Sequence, residues 1–138
     1  MPLILWTQDL AVGDSKIDDQ HKQLFAAADN LAEAMWAGKG AEEIAKTIEF
    51  LQEYTIFHFG DEESTMTTNA YPGYDAQKAA HERFKRELSE LKAKHQSGAV
   101  SSTLAVELLQ KSINWFRDHI RAMDQPLGKF LKEKGVAT

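Results

Sequence analysis

The 138-residue sequence predicts an all-α protein, an antiparallel four-helix bundle with up-down-up-down topology. Four stretches of about 20 residues carry apolar residues at three-and-four spacing, the pattern of a helix with one buried face. The links between them are short, and no stretch alternates apolar and polar residues as a half-buried strand does. We expect a single domain over residues 1–138. Its helices are predicted at residues 18–37, 41–67, 75–96 and 102–124.

Residues that commonly stand at helix ends bound the first helix. Residues 1–17 lack a clear period, and we expect an extended segment in which Trp6 and Leu10 cover the bundle. Asp18 can cap a helix N-terminus, and Gly38 is a typical residue just beyond a helix C-terminus. The first helix is therefore expected between these two residues.

Proline and glycine mark the later boundaries. Pro72 and Gly73 predict a turn between the second and third helices. The stretch "SGAVSS" separates the third helix from the fourth. Pro126 cannot continue a helix, so we expect a break there, and "PLGKFLKEKG" is a candidate for a short terminal helix.

Composition argues against several kinds of function. A net charge of −5 gives no broad basic surface, so nucleic acid is not an expected partner. The absence of cysteine excludes disulfides, thiolate nucleophiles and cysteine-ligated metals. The opening "MPLILWTQDL" is too short, and acquires charge too early, for a signal peptide or a membrane span. We therefore expect a cytoplasmic protein with no membrane contact.

The apolar residues on the buried face of each helix form a stripe, and polar residues continue that stripe at one end. On the second helix the stripe continues to His58 and Glu62, which lie one above the other because successive helical residues are about 100° apart. Gln77 and His81 share the inward face of the third helix in the same way. The polar residues on the inner faces are, in chain order, His21, His58, Glu62, Gln77, His81, His119 and Asp124. Because alternate helices run in opposite directions, all of them fall at the same end of the bundle.

The spacing of the last pair is unusual. Asp124 follows His119 at i+5, which rotates it away from a straight α-helical face. The fourth helix must loosen or end near Met123 for both side chains to converge, and Pro126 favours such a loosening.

Four histidines and two carboxylates in one core layer indicate a metal site. A lone inward histidine is usually a hydrogen-bonded core residue, but an unpaired buried carboxylate costs several kcal/mol. Imidazole and carboxylate together suit iron, manganese or zinc, and six groups suit two ions better than one. Asp61 and Glu63 lie off the inner stripe of the second helix, and we expect both to be solvated.

These motifs resemble those of the bacteriohaemerythrins, the single-domain bacterial relatives of the haemerythrin oxygen carriers. The resemblance covers essentially the whole chain, and it rests on the stretches "DDQHK", "HFGDEESTM", "YPGYDAQKAAHERF" and "HIRAMD". It implies a non-haem diiron centre that binds molecular oxygen reversibly.

The resemblance also assigns ligands by position. His21 and His58 would hold one iron, where oxygen binds, while His81 and His119 would hold the other. Glu62 and Asp124 would bridge the two irons together with a solvent-derived oxo or hydroxo group. The family pattern on the third helix is H-x3-H, whereas this chain reads "QKAAH".

Gln77 therefore stands where the family has a histidine ligand. It can lend its amide oxygen to the second iron, or it can hydrogen-bond to a water molecule there. An opening at this iron predicts faster autoxidation to the diferric state. The substitution Gln77→His should then lengthen the life of the oxygenated form.

Two classes of function stay open at this point. The first is an oxygen-binding protein for storage, delivery or sensing, and the second is a diiron oxidase or peroxidase that reduces oxygen or peroxide. A weaker third is an interaction module whose helices respond to metal or oxygen. Phe59, Trp115 and Ile120 match positions that line the oxygen pocket in the family, although ordinary bundle packing explains them equally well. No residue identifies a protein partner.

Overall fold

The computed structural model describes residues 6–98 and 101–135 of the chain. Its helices, in chain order, are α1 (Ser15–Trp36), α2 (Gly40–Thr68), α3 (Tyr74–Gln96), α4 (Ser101–His119) and the shorter α5 (Gln125–Glu133). A single 3-10 turn, Gln8–Leu10, precedes them. The described residues contain no β-strand, which confirms the all-α class. None of their helices combines the length and apolar composition needed to cross a bilayer.

The four long helices form the predicted bundle. Helix α1 packs against α2 and α4, and α3 packs against the same two helices. Each long helix contributes fully buried apolar side chains to the common core, for example Leu24, Ile48, Leu88 and Leu108. Burial of such a side chain contributes about 1.5–3 kcal/mol relative to leaving it exposed, so this core holds the helices in register.

Helix α1 begins at Ser15 rather than at Asp18. Asp14 is its N-cap, and its Oδ1 accepts a hydrogen bond from the Ile17 N–H at 3.1 Å. The predicted cap at Asp18 was wrong, because the Asp18 carboxylate accepts instead from the Val12 N–H at 2.8 Å. Asp18 thereby ties the preceding segment to the first turn of the helix.

The predicted break at Pro126 does not occur. The chain leaves α4 through a π-helical segment, Ile120–Asp124, in which the Gln125 N–H donates to the Ile120 carbonyl, and it enters α5 directly. Pro126 is accommodated in the first turn of α5, where a missing N–H is tolerated. The wider π turn is the loosening that the i+5 spacing requires, because it returns Asp124 to the face of His119.

The N-terminal segment crosses α5. Leu10 is 1% exposed, and the Gln125 side-chain amide donates to the Asp9 carbonyl at 2.8 Å. At Gly128 the two backbones approach so closely that a Cβ atom would lie 2.0 Å from the Val12 carbonyl oxygen. Glycine is required there because any side chain would displace the segment.

We predict that Gly128→Ala lowers the free energy of unfolding by about 1–3 kcal/mol, because the added methyl group overlaps a backbone atom that cannot rotate away. The matched control is Gly60→Ala, an exposed position in α2 where an added Cβ meets no atom within 4 Å. That control should gain about 0.5–1 kcal/mol from lower backbone entropy in the unfolded chain. Urea denaturation measures both, and equal stability of Gly128→Ala and the unsubstituted protein would contradict the close approach.

Candidate metal centre

One layer of the bundle core is built from polar side chains. Helix α1 contributes one, α2 two, α3 two, the end of α4 one and the π-helical segment one. The residues are His21, His58, Glu62, Gln77, His81, His119 and Asp124. His119 is 6% exposed and each of the others 1% or less. The structure thus brings together all the polar residues that the stripes placed on the inner faces.

The first group in this layer consists of His21, His58, Glu62 and Asp124. One ligand atom from each lies within 4.8 Å of the others. His21 Nε2 is 3.0 Å from Asp124 Oδ2, and His58 Nε2 is 3.3 Å from Glu62 Oε1. Both imidazoles therefore present their Nε2 atoms to a carboxylate.

The second group consists of His81 and His119 with Glu62. His81 Nε2 is 3.3 Å from Glu62 Oε1, the oxygen that also faces the first group. His119 Nε2 is 3.2 Å from Asp124 Oδ1. Each carboxylate consequently lies beside one histidine of each pair, between the two groups.

Most of the facing atoms make no hydrogen bond with acceptable geometry. The buried atoms without a hydrogen-bond partner in the described part of the chain include His21 Nε2, both Glu62 oxygens, His81 Nε2, His119 Nε2 and Asp124 Oδ2. Native interiors rarely leave such atoms unsatisfied, because each one loses its hydration on burial. Nitrogen and oxygen lone pairs that converge in this way are suitable donors for a transition-metal cation, so the residues fit a metal.

Burial dominates the protonation behaviour of the layer. It raises the pKa of the Glu62 carboxyl well above its usual range, and the Asp124 charge adds to the shift. It lowers the pKa of His58 well below the usual value and that of His81 to about 4. Burial also raises the pKa of Asp124, but the neighbouring histidines outweigh it and hold that pKa well below its range. His58 and His81 are therefore neutral near pH 7, the form in which an imidazole binds a metal.

Glu63 orients the His81 ring. Its Oε2 accepts a hydrogen bond from His81 Nδ1 at 2.9 Å, and its Oε1 pairs with Lys78 Nζ at 2.9 Å. The expectation that Glu63 is solvated was wrong, since only 13% of its side chain is exposed at the contact between α2 and α3. Because the carboxylate can only accept, the proton of neutral His81 lies on Nδ1 and the Nε2 lone pair points into the layer.

A second chain of hydrogen bonds orients His58. Gln20 Oε1 accepts from His58 Nδ1 at 2.6 Å, and Gln20 Nε2 donates to Asp61 Oδ2 at 2.8 Å. Asp61 also pairs with Lys16 at 3.2 Å, so it is not simply solvated as expected. Gln20 was not predicted as a site residue, although its position one turn before Leu24 on the buried face of α1 indicated it; it is 5% exposed.

The three apolar residues assigned to an oxygen pocket lie against this layer or in the adjoining core. The Phe59 ring stacks on His81 with centroids 3.9 Å apart, and its centroid is 5.7 Å from that of His58. Trp115 stacks on His119 at 4.3 Å, and Ile120 is 1% exposed. The rings fix the planes of the second histidine pair, and the lining role stays a prediction.

The fold and the layer define a class: a four-helix-bundle protein that can hold metal cations between histidine pairs and shared carboxylates. The chain belongs to the haemerythrin family. The family model described as "Hemerythrin HHE cation binding domain" matches residues 12–131.

Relatives share this similarity over most of their length. A protein of Pseudomonas aeruginosa (strain LESB58) named bacteriohemerythrin is 36% identical over 124 residues, which are 90% of this chain and 78% of that protein. A myohemerythrin of Sipunculus nudus is 32% identical over 120 residues, 87% of each chain. The crystal structure of a wild-type hemerythrin aligns with a TM-score of 0.75 at 27% identity, covering 90% of this chain and 94% of that one.

We predict that Glu63→Gln weakens binding of Fe²⁺ by about tenfold or more, because the amide is a poorer acceptor for the His81 Nδ1 proton and the ring loses basicity and orientation. The matched control is Glu82→Gln. Glu82 also pairs with Lys78, at 3.4 Å, and its described hydrogen bonds and ion pairs do not involve His81. Anaerobic competition with a chelator measures both affinities. Equal losses in the two variants would show that Glu63 acts only through surface charge.

Proposed function

We propose that this protein binds molecular oxygen at a non-haem diiron centre in the polar layer. The observation that carries the proposal is the position of the two carboxylates. Glu62 Oε1 lies 3.3 Å from Nε2 of both His58 and His81. Asp124 Oδ2 lies 3.0 Å from His21 Nε2, and Asp124 Oδ1 lies 3.2 Å from His119 Nε2. Two cations can therefore share both carboxylates, which suits a dinuclear centre better than a mononuclear one.

The proposed ligand assignment follows the two groups. His21 and His58 would hold one iron, His81 and His119 would hold the other, and Glu62 and Asp124 would contact both. A solvent-derived oxo or hydroxo bridge completes the proposed cofactor. Two bound irons supply the electrons that reversible oxygen binding requires. Membership of a cation-binding family supports this assignment.

The residues around the layer prepare it for a small apolar ligand. Glu63 and Gln20 hold the Nδ1 protons of His81 and His58, so that both Nε2 atoms face inward. Phe59 and Trp115 place aromatic rings against the second histidine pair, where they exclude water. We propose that these rings, with Ile120, form the oxygen-lining wall. We propose a cytoplasmic protein that stores, delivers or senses oxygen, since each of these roles uses the same reversible binding.

An oxidase or peroxidase is the second candidate function. The observation that favours it is Gln77, a buried amide on the face where the family has an imidazole. Unless the Gln77 amide takes the place of the missing imidazole, the second iron would be more open to oxygen, peroxide or solvent. Faster autoxidation and turnover of peroxide follow from that opening.

The test begins with anaerobic loading and chemical reduction of the protein. We expect two irons per chain and a visible absorption band that forms in air and disappears when oxygen is removed, over repeated cycles. The zinc-loaded protein is the control, because Zn²⁺ has no redox chemistry and should give no band. Direct and permanent conversion to a diferric spectrum, with turnover of peroxide, would contradict oxygen carriage and favour the second candidate.

The variant Gln77→His separates the two candidates further. If the missing imidazole opens the second iron, the variant should keep its oxygenated form several-fold longer than the unsubstituted protein. Oxygenated forms that decay at the same rate would remove the reason for the second candidate.

A further inference from the structure

Gln77 is held inside the polar layer by one end of its amide. It lies one helical turn before His81 on the same inward face, and it is 1% exposed. Its Nε2 donates a hydrogen bond to Asp124 Oδ1 at 2.9 Å. That oxygen is also the one 3.2 Å from His119 Nε2. The amide therefore lies beside the second histidine pair.

The other end of the amide is unsatisfied. Gln77 Oε1 is buried and has no hydrogen-bond partner in the described residues. The carboxylate of Asp124 can only accept hydrogen bonds, so it fixes the amide with its nitrogen towards Asp124 and its oxygen elsewhere. A buried carbonyl oxygen without a partner is costly, and a nearby cation would satisfy it.

An amide can perform two tasks here that an imidazole cannot combine. The oxygen and nitrogen of an amide are attached to one carbon, so one can face a cation while the other donates to an adjacent carboxylate. The two nitrogens of an imidazole point away from each other across the ring. A histidine at position 77 would bind a cation but would leave Asp124 Oδ1 without this donor.

We propose that Gln77 is a ligand of the second cation through its amide oxygen and, through its N–H, the group that fixes the carboxylate of Asp124. The proposal rests on the dinuclear centre proposed above, but not on oxygen binding. The second site then has two imidazole nitrogens and three oxygen donors, from His81, His119, Glu62, Asp124 and Gln77. Oxygen donors suit Mn²⁺, whereas additional imidazole favours Zn²⁺. This second site therefore accepts Mn²⁺ more readily, relative to Zn²⁺, than a site with three histidines.

The experiment counts Mn²⁺ ions bound by the chelator-treated, full-length chain. Free Mn²⁺ gives an electron paramagnetic resonance signal that disappears on binding, so a titration yields both stoichiometry and affinity. The comparison includes the unsubstituted protein and the variants Gln77→Leu, Gln77→Glu and Gln77→His. The control is Gln110→Leu, an exposed glutamine of α4. Competition with Zn²⁺ gives the ratio of the two affinities, and circular dichroism verifies that each variant is folded.

The unsubstituted protein and Gln110→Leu should bind two Mn²⁺ per chain. Gln77→Leu should bind the second ion about tenfold or more weakly, because it loses the oxygen donor. Gln77→Glu should retain the second ion, since a carboxylate oxygen replaces the amide oxygen. Gln77→His should raise the Zn²⁺-to-Mn²⁺ affinity ratio about tenfold, a readout that does not depend on whether Gln77→Leu folds.

Three results would overturn the proposal. One is an unsubstituted chain that binds a single Mn²⁺. Another is a second ion bound equally well by Gln77→Leu, the result expected if Gln77 only hydrogen-bonds to a water molecule. The third is equal weakening in Gln77→Leu and Gln77→Glu, which would mean that Gln77 acts only through its N–H on Asp124. A different result would contradict the proposed function alone. In that case the variants would show the expected Mn²⁺ stoichiometry and Zn²⁺-to-Mn²⁺ affinity ratios, but the iron-loaded protein would give no reversible oxygen band.

Discussion

The burial of six ionisable side chains in one layer is the constraint on which the rest of this structure depends. Burial raises the pKa of Glu62 and lowers that of His58, because it disfavours the charged form of each side chain. The apolar core of the bundle supplies the free energy that holds the groups together despite this cost. Cations bound between the two histidine pairs would turn unsatisfied donor atoms into ligands, and their binding energy would then stabilise the folded chain.

Several local features follow from the geometry that this layer requires. The π-helical segment Ile120–Asp124 returns Asp124 to the inner face, and helix α5 then carries the chain under the N-terminal segment. Glu63 accepts a hydrogen bond from Nδ1 of His81, and Gln20 accepts one from Nδ1 of His58. Glu63 pairs with Lys78, and Gln20 donates to Asp61, which pairs with Lys16. The positions of the two rings therefore depend on contacts between neighbouring helices. A metal site is more precise when its ligands are held in this way.

Helical periodicity was sufficient to predict the bundle and the inward direction of residues such as His58 and Glu62, because a period near 3.6 decides which side chains share a face. It could not predict the partner of Glu63, since that contact depends on how far α2 and α3 rotate when their side chains pack. The helix cap was predicted at Asp18 but lies at Asp14, because aspartate is a suitable capping residue at either position and periodicity does not decide between them. The Pro126 prediction failed because proline is disfavoured inside a helix but tolerated in its first turn.

The proposed function requires that two cations share Glu62 and Asp124. Anomalous diffraction at the iron absorption edge, from crystals of the iron-loaded protein, tests it most directly. We expect two separate peaks in the polar layer, one adjoining His21 and His58 and the other adjoining His81 and His119. A single peak at full iron loading, or iron bound only outside this layer, would contradict it.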